Sequence, residues 1–140
     1  MMKSIWRKMM AQLAPFLDKY NTVIFDMDGV ITSEQHYWTC AALTVWEWTH
    51  SDRYYGNAKI NVNKIQNDAK SIRKQVFCND KIIEVLKAKG VNSNWDLGYV
   101  VFAGCMILDT LDFERVLDFA NSLHNNILDE YPVIAKSLSE

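Results

Sequence analysis

Residues 91–108 read VNSNWDLGYVVFAGCMIL. The fold class turns on whether this run is a strand or a helix. Ser93 stands three residues before Asp96, an approximate capping box. The apolar run then continues for about fourteen residues beyond the cap, long for a strand and normal for a buried helix. The length predicts a helix, and with it a mainly α chain. Downstream, Asp112 opens an amphipathic helix with Phe113, Val116, Leu117, Ala120 and Leu123 on one face, and a last segment containing Pro132 follows. Upstream, NDKIIEVLKAKG (79–90) has Asn79 as N-cap, Ile82, Ile83, Val85 and Leu86 as apolar face and Gly90 as C-terminal stop.

Further upstream, residues 60–77 carry a weaker helical pattern and SDRYYGNA (51–58) is a connection. Ser33 and Glu34 read as the start of a long helix reaching about Thr49, with Trp38, Ala41, Ala42, Val45, Trp46 and Thr49 along one side. Near the N-terminus, Ile5, Trp6, Met9, Met10, Leu13, Phe16 and Leu17 fall on one helical face, and Pro15 kinks or breaks that helix.

With 140 residues, 49% of them hydrophobic and 23% charged, the chain has material for one ordinary core. Its net charge of −2 argues against a dedicated nucleic-acid binder. Lys70, Arg73 and Lys74 form a local basic cluster, read as a solvated helix face. Cys40, Cys78 and Cys105 are odd in number, widely spaced and set among apolar neighbours. They read as buried reduced thiols rather than disulfides or zinc ligands, which favours the cytoplasm. The apolar stretch Tyr99–Leu108 is far short of the ~20 residues of a membrane span, so a soluble protein without membrane contact is expected.

One stretch departs from the helical pattern. Thr22 to Asp26 is β-branched and aromatic, short, and bounded by Asn21 and Gly29, which reads as a buried strand. The strand ends in Asp26, and Asp28 lies in the turn that follows. Crevices at the C-terminal ends of strands are where open α/β sheets place their sites. Two carboxylates this close repel unless a cation lies between them. Mg²⁺ suits the position, because it accepts carboxylate, water and phosphate oxygens together. The pair also permits a division of labour: one carboxylate attacks as a nucleophile and the other transfers protons. Gly29 lets the backbone turn tightly beside the ion.

The run Phe25-Asp26-Met27-Asp28-Gly29-Val30-Ile31, followed by Ser33-Glu34, resembles the first motif of the haloacid dehalogenase-like superfamily of hydrolases. The match covers about a dozen residues. The resemblance implies that Asp26 is the nucleophile, that Asp28 is the general acid/base, and that both hold Mg²⁺, Asp28 through its backbone carbonyl. An acid at Asp28 favours phosphate chemistry over dehalogenation. The implied fold is mainly α: a helical cap-type domain with one N-terminal core strand of an incomplete α/β, Rossmann-like fold. Its parts are an N-terminal helix (1–20), the first core strand and catalytic loop (21–32), and an incomplete helical cap (33–140).

The resemblance also implies a Ser or Thr after a second strand, a Lys that stabilises the aspartyl-phosphate, and a further acidic pair. Ala135-Lys136-Ser137 has no adequate strand before it. Met106–Thr110 has the apolar-then-acid form but lacks a second acid and falls in a predicted helix. A parallel strand needs neighbours on both sides, and several more β-α units of about 30 residues each do not fit after the cap. The expectation is therefore the front portion of a Mg²⁺-dependent phosphohydrolase for small phosphorylated metabolites, inactive in isolation. The remainder of the core, or another chain, completes its sheet. A phosphomutase of the same superfamily and a non-catalytic helical interaction module retaining a relic motif are the alternatives.

Further candidates are weaker. His36 follows the motif closely and is a candidate substrate-side residue with Gly29, whereas Trp38 reads as core. Asn92, Ser93, Asn94 and Trp95 form a polar loop that could read a sugar ring, although capping explains Ser93 or Asn94 equally well. His50 and His124 have no metal-like partners, and Trp46, Trp48 and Tyr99 read as packing.

Overall fold

In the computed structural model of this protein, residues 24, 27 and 33–139 are described. The predicted helix over 1–20 and nearly all of the predicted strand and loop over 21–32 lie outside them. Ile24 and Met27 belong to no helix or strand. The chain divides into two compact units, Met1–Glu34 and Gln35–Glu140.

The second unit is helical, and the fold of the described chain is mainly α. Its helices are α1 (Gln35–His50), α2 (Val62–Val76), α3 (Lys81–Ala88), α4 (Asn94–Ile107), α5 (Phe113–Ser122) and α6 (Ile127–Ser139). None among the described residues is long and apolar enough to cross a membrane. The run that decided the fold class is α4, the hub: it packs against α1, α5 and α6, while α1 also packs on α2 and α3 on α5. Leu97, Val100, Val101, Ala103, Gly104 and Cys105 of α4 are buried. Gly104 permits the approach of α5, since a Cβ there would lie 2.9 Å from Phe119 Cδ1 and 3.1 Å from Val116 Cγ1.

Local chemistry sets the helix ends. Ser93 Oγ accepts from the N–H of Trp95 and of Asp96, and Asp112 Oδ1 accepts from the N–H of Glu114, which satisfies donors left open at helix starts. Asn61 does the same for α2 through the N–H of Asn63. At the end of α3, Gly90 adopts φ +93°. Its N–H donates to Lys87 O and that of Val91 to Leu86 O, the paired bonds of a Schellman stop. Lys89 crosses to the C-terminal end of α5, where its ammonium donates to the carbonyls of Asn121 in the last turn and of Leu123 just past it.

The connection 51–58 is a closed loop. Ser51 and Ala58 form a parallel bridge, and the N–H of Gly56 donates to Ser51 O. A Cβ on Gly56 would stand 1.9 Å from the carbonyl carbon of His50, so glycine is required by close approach.

Three expectations are corrected. The residue before α3 is Asp80, not Asn79, and its side chain caps nothing. Cys78, Asn79 and Asp80 have φ of 48°, 56° and 70°, three successive residues in the left-handed region. Such a conformation costs non-glycine residues roughly 1–2 kcal/mol each. Cys40 is exposed rather than buried, because it lies off the Ala42–Val45–Thr49 face of α1, while Cys78 and Cys105 are buried as expected. Within the basic cluster, Lys70 and Lys74 are exposed but Arg73 is not a solvated residue.

Candidate functional site

Asp26, Asp28 and Gly29 lie outside the described residues. The described residues run continuously from Ser33, and α1 begins at Gln35. His36 is exposed in its first turn. Trp38, one residue past Tyr37, turns inward and packs against the core, so the packing reading holds.

Around Trp38 the structure assembles a cluster that no local pattern announced. The Arg73 guanidinium lies 5.0 Å from the Trp38 ring centroid and the Lys87 ammonium 5.1 Å from it. Arg73 also forms a two-pronged pair with Asp80, Nε to Oδ1 at 2.9 Å and Nη2 to Oδ2 at 2.5 Å. Its third nitrogen, Nη1, donates to the carbonyl of Gln35, the first residue of α1. One side chain on α2 thus ties together the strained turn before α3 and the helix start that follows the motif. The Trp38 indole N–H is buried without an acceptor, an arrangement that costs about 1–3 kcal/mol.

A groove of about 540 Å³ lies between α1, α2 and the segment joining them, lined by Trp46, Ile60, Ile65, Asp68, Ser71 and Gln75 among others. Trp46 is ten residues beyond His36 on the same helix, roughly 15 Å along its axis. The groove therefore lies against the C-terminal half of α1.

The remaining candidates resolve into structural roles. Ser93 is a cap, as described. His50 stacks on Trp46 at 4.6 Å, with Nδ1 2.8 Å from Thr49 Oγ1. His124 Nδ1 sits 3.7 Å from an exposed Asp129 carboxylate. Asp109, the acid of the Met106–Thr110 run, follows α4 in a left-handed turn at φ 45° instead of ending a strand. Among the described residues, no group of three or more His, Cys, Asp or Glu is placed to hold a metal ion.

Among the described residues, three groups are shifted by their surroundings. Burial pushes the thiol of Cys78 up to about 11, helped by the nearby Glu114 carboxylate. Burial does the same for Cys105, also up to about 11. The Tyr131 hydroxyl is raised to about 12 by burial and then by Asp96, to which it hydrogen-bonds. These thiols are protonated near neutrality and are poor nucleophiles.

No family model, curated protein or solved structure matches the chain.

Proposed function

We propose that the chain carries the first motif of a Mg²⁺-dependent phosphohydrolase of the haloacid dehalogenase-like type, and that its helical unit is the cap of that enzyme. The observation behind this reading is the run Phe25–Ile31, with its two carboxylates, leading into a unit that is helical from Gln35 onward. Asp26 attacks phosphorus and forms an aspartyl-phosphate; Asp28 protonates the leaving oxygen and then deprotonates the water that releases phosphate. The donor set fits the ion. The Asp26 carboxylate and the Asp28 backbone carbonyl are hard oxygens that would hold Mg²⁺, which would supply charge neutralisation for the phosphoryl group. Small phosphorylated metabolites are the substrate class. The stabilising lysine and further acids come from outside this set of residues, so the chain alone turns over little or nothing.

Titration calorimetry with Mg²⁺ and turnover of p-nitrophenyl phosphate test the reading. Weak Mg²⁺ binding that disappears in Asp26→Ala and survives Asp28→Asn is expected, because Asp28 contributes its backbone carbonyl. Absence of Mg²⁺ binding in the unaltered chain, or binding indifferent to Asp26→Ala, overturns it. A second reading, a helical interaction module that does no chemistry, is favoured by the exposed aromatic rings on α1, α4 and the loop 51–58.

A further inference from the structure

Helix α4 is apolar on every side, a character usually found in helices covered all round. Its buried residues, centred on Leu97, Val101 and Gly104, occupy one side. On the opposite side stand Trp95, Tyr99, Phe102 and Met106, which at 100° per residue fall within one narrow arc. Trp95 is 84% exposed and Tyr99 37%, while Phe102 and Met106 are partly buried. Aromatic side chains of neighbouring elements widen this stripe. Trp48 stacks on Tyr54 at 5.2 Å and meets Phe102 edge-on at 5.1 Å, Tyr55 lies 5.6 Å from Phe102, and Tyr131 meets Tyr99 at 6.1 Å.

The area is large for an uncovered surface. At ~200 Å² per ring, the exposed fractions of Trp48 (38%), Tyr54 (49%), Tyr55 (66%), Trp95 (84%) and Tyr99 (37%) leave roughly 500–600 Å² of aromatic surface in water. That reaches the upper end of what a monomer usually exposes, about 300–600 Å². With a polar rim it approaches the ~800 Å² per partner of a stable interface.

We infer that this face is a twofold interface between two copies of the chain, formed by antiparallel packing of α4 on α4. The spacing of the stripe chooses the occupant. Residues 95, 99, 102 and 106 are separated by four, three and four positions, the knob spacing of packed helices. That sequence of intervals reads the same in either direction. A twofold axis near residues 100 and 101 therefore sets Trp95 of one copy beside Met106 of the other, and Tyr99 beside Phe102, as an isologous contact requires. The stripe carries no charge that would select a different partner; the adjacent Asp96 is engaged by Tyr131. This inference is independent of the phosphohydrolase reading.

Sedimentation velocity on the full 140-residue chain, from low micromolar to near-millimolar concentration, is the test. A reversible dimer of twice the single-chain mass is expected. Trp95→Glu and Met106→Lys should each raise its dissociation constant by roughly 30-fold or more, the loss seen at interface hot spots. The double variant Trp95→Glu/Met106→Lys should recover much of that loss, because the twofold places each new charge against its opposite. Far-UV ellipticity verifies that each variant is folded. If Met106→Lys is not, the exposed Tyr55→Glu replaces it as the second disrupting change, and loss of the dimer is the readout. A chain monomeric throughout, open-ended aggregation without a discrete dimer, a dimer indifferent to the substitutions, or a folded double variant no better than the single ones overturns the inference.

Discussion

Removing the Arg73 guanidinium tests whether the left-handed turn at Cys78–Asp80 is held by its pair with Asp80. The guanidinium is 12% exposed and the carboxylate 35%. Hydrogen bonds to charged groups contribute about 1.5–3 kcal/mol, and stranding a fully buried charge costs about 3–5 kcal/mol. Asp80 is partly hydrated and regains water once its partner is gone, so the lower range governs. Loss of the contact over Trp38 adds ~0.5–1 kcal/mol. Arg73→Ala should therefore destabilise the protein by about 2–3 kcal/mol, and a double-mutant cycle with Asp80→Ala should give a coupling of roughly 1–2 kcal/mol. The turn supplies an internal control. At φ 70° alanine retains the left-handed penalty that glycine escapes, partly offset by the freedom glycine gives the unfolded chain. Asp80→Gly should thus be milder than Asp80→Ala by about 1 kcal/mol. Urea unfolding followed by helical ellipticity, with unchanged m-value, reads all three quantities. An Arg73→Ala effect within ~0.5 kcal/mol of zero, the size of an ordinary surface change, or an Asp80→Gly protein no more stable than Asp80→Ala, refutes the reasoning.

Two further outcomes follow from the loop and the thiols. Gly56→Ala should cost about 2 kcal/mol or more, because its Cβ meets the backbone of His50 rather than a movable side chain; a thermal melt coincident with that of the unaltered protein would contradict the closed loop. Cys78 and Cys105 are raised from 9.0 to about 11, so the unfolded chain loses these protons before the folded one does. Their contribution to stability is complete below about pH 9 and falls as pH rises from 9 to 11. Urea midpoints measured across that window should decline, and less steeply in Cys105→Ala; a flat profile would show that the thiols are not sequestered.

The elements that sequence reading placed well are those whose determinants are local. Ser93 and Asp112 sit where a cap must sit, Gly90 supplies the positive φ that ends α3, and the length of the 94–107 run decided for helix. Features that depend on distant partners were hidden. Asn79 and Asp80 are residue types that tolerate the left-handed region, but Cys-Asn-Asp does not announce three such residues in succession, and Asn79 offered itself as a cap because Asn commonly caps. Arg73 resembled its exposed neighbours Lys70 and Lys74 because its partner lies seven residues away across a break between helices, and Trp38 gave no sign of the two cations gathered near its ring. The candidate carboxylates at Asp26 and Asp28 were legible only as a motif, since the chemistry of paired acids is written in their spacing while their surroundings are not.

The turn between α2 and α3 also has no slack. The N–H groups of Phe77, Cys78, Asn79, Lys81 and Ile82 donate to the carbonyls of Arg73, Gln75, Lys74, Cys78 and Phe77. Inserting or deleting one residue there would rotate α3 by about 100° about its own axis. Ile82, Ile83 and Leu86 would swing away from the interior and charged residues would swing in. As sequences of this kind diverge, changes in length should be purged from this junction even where individual side chains drift, so its spacing is a more durable signature than its composition.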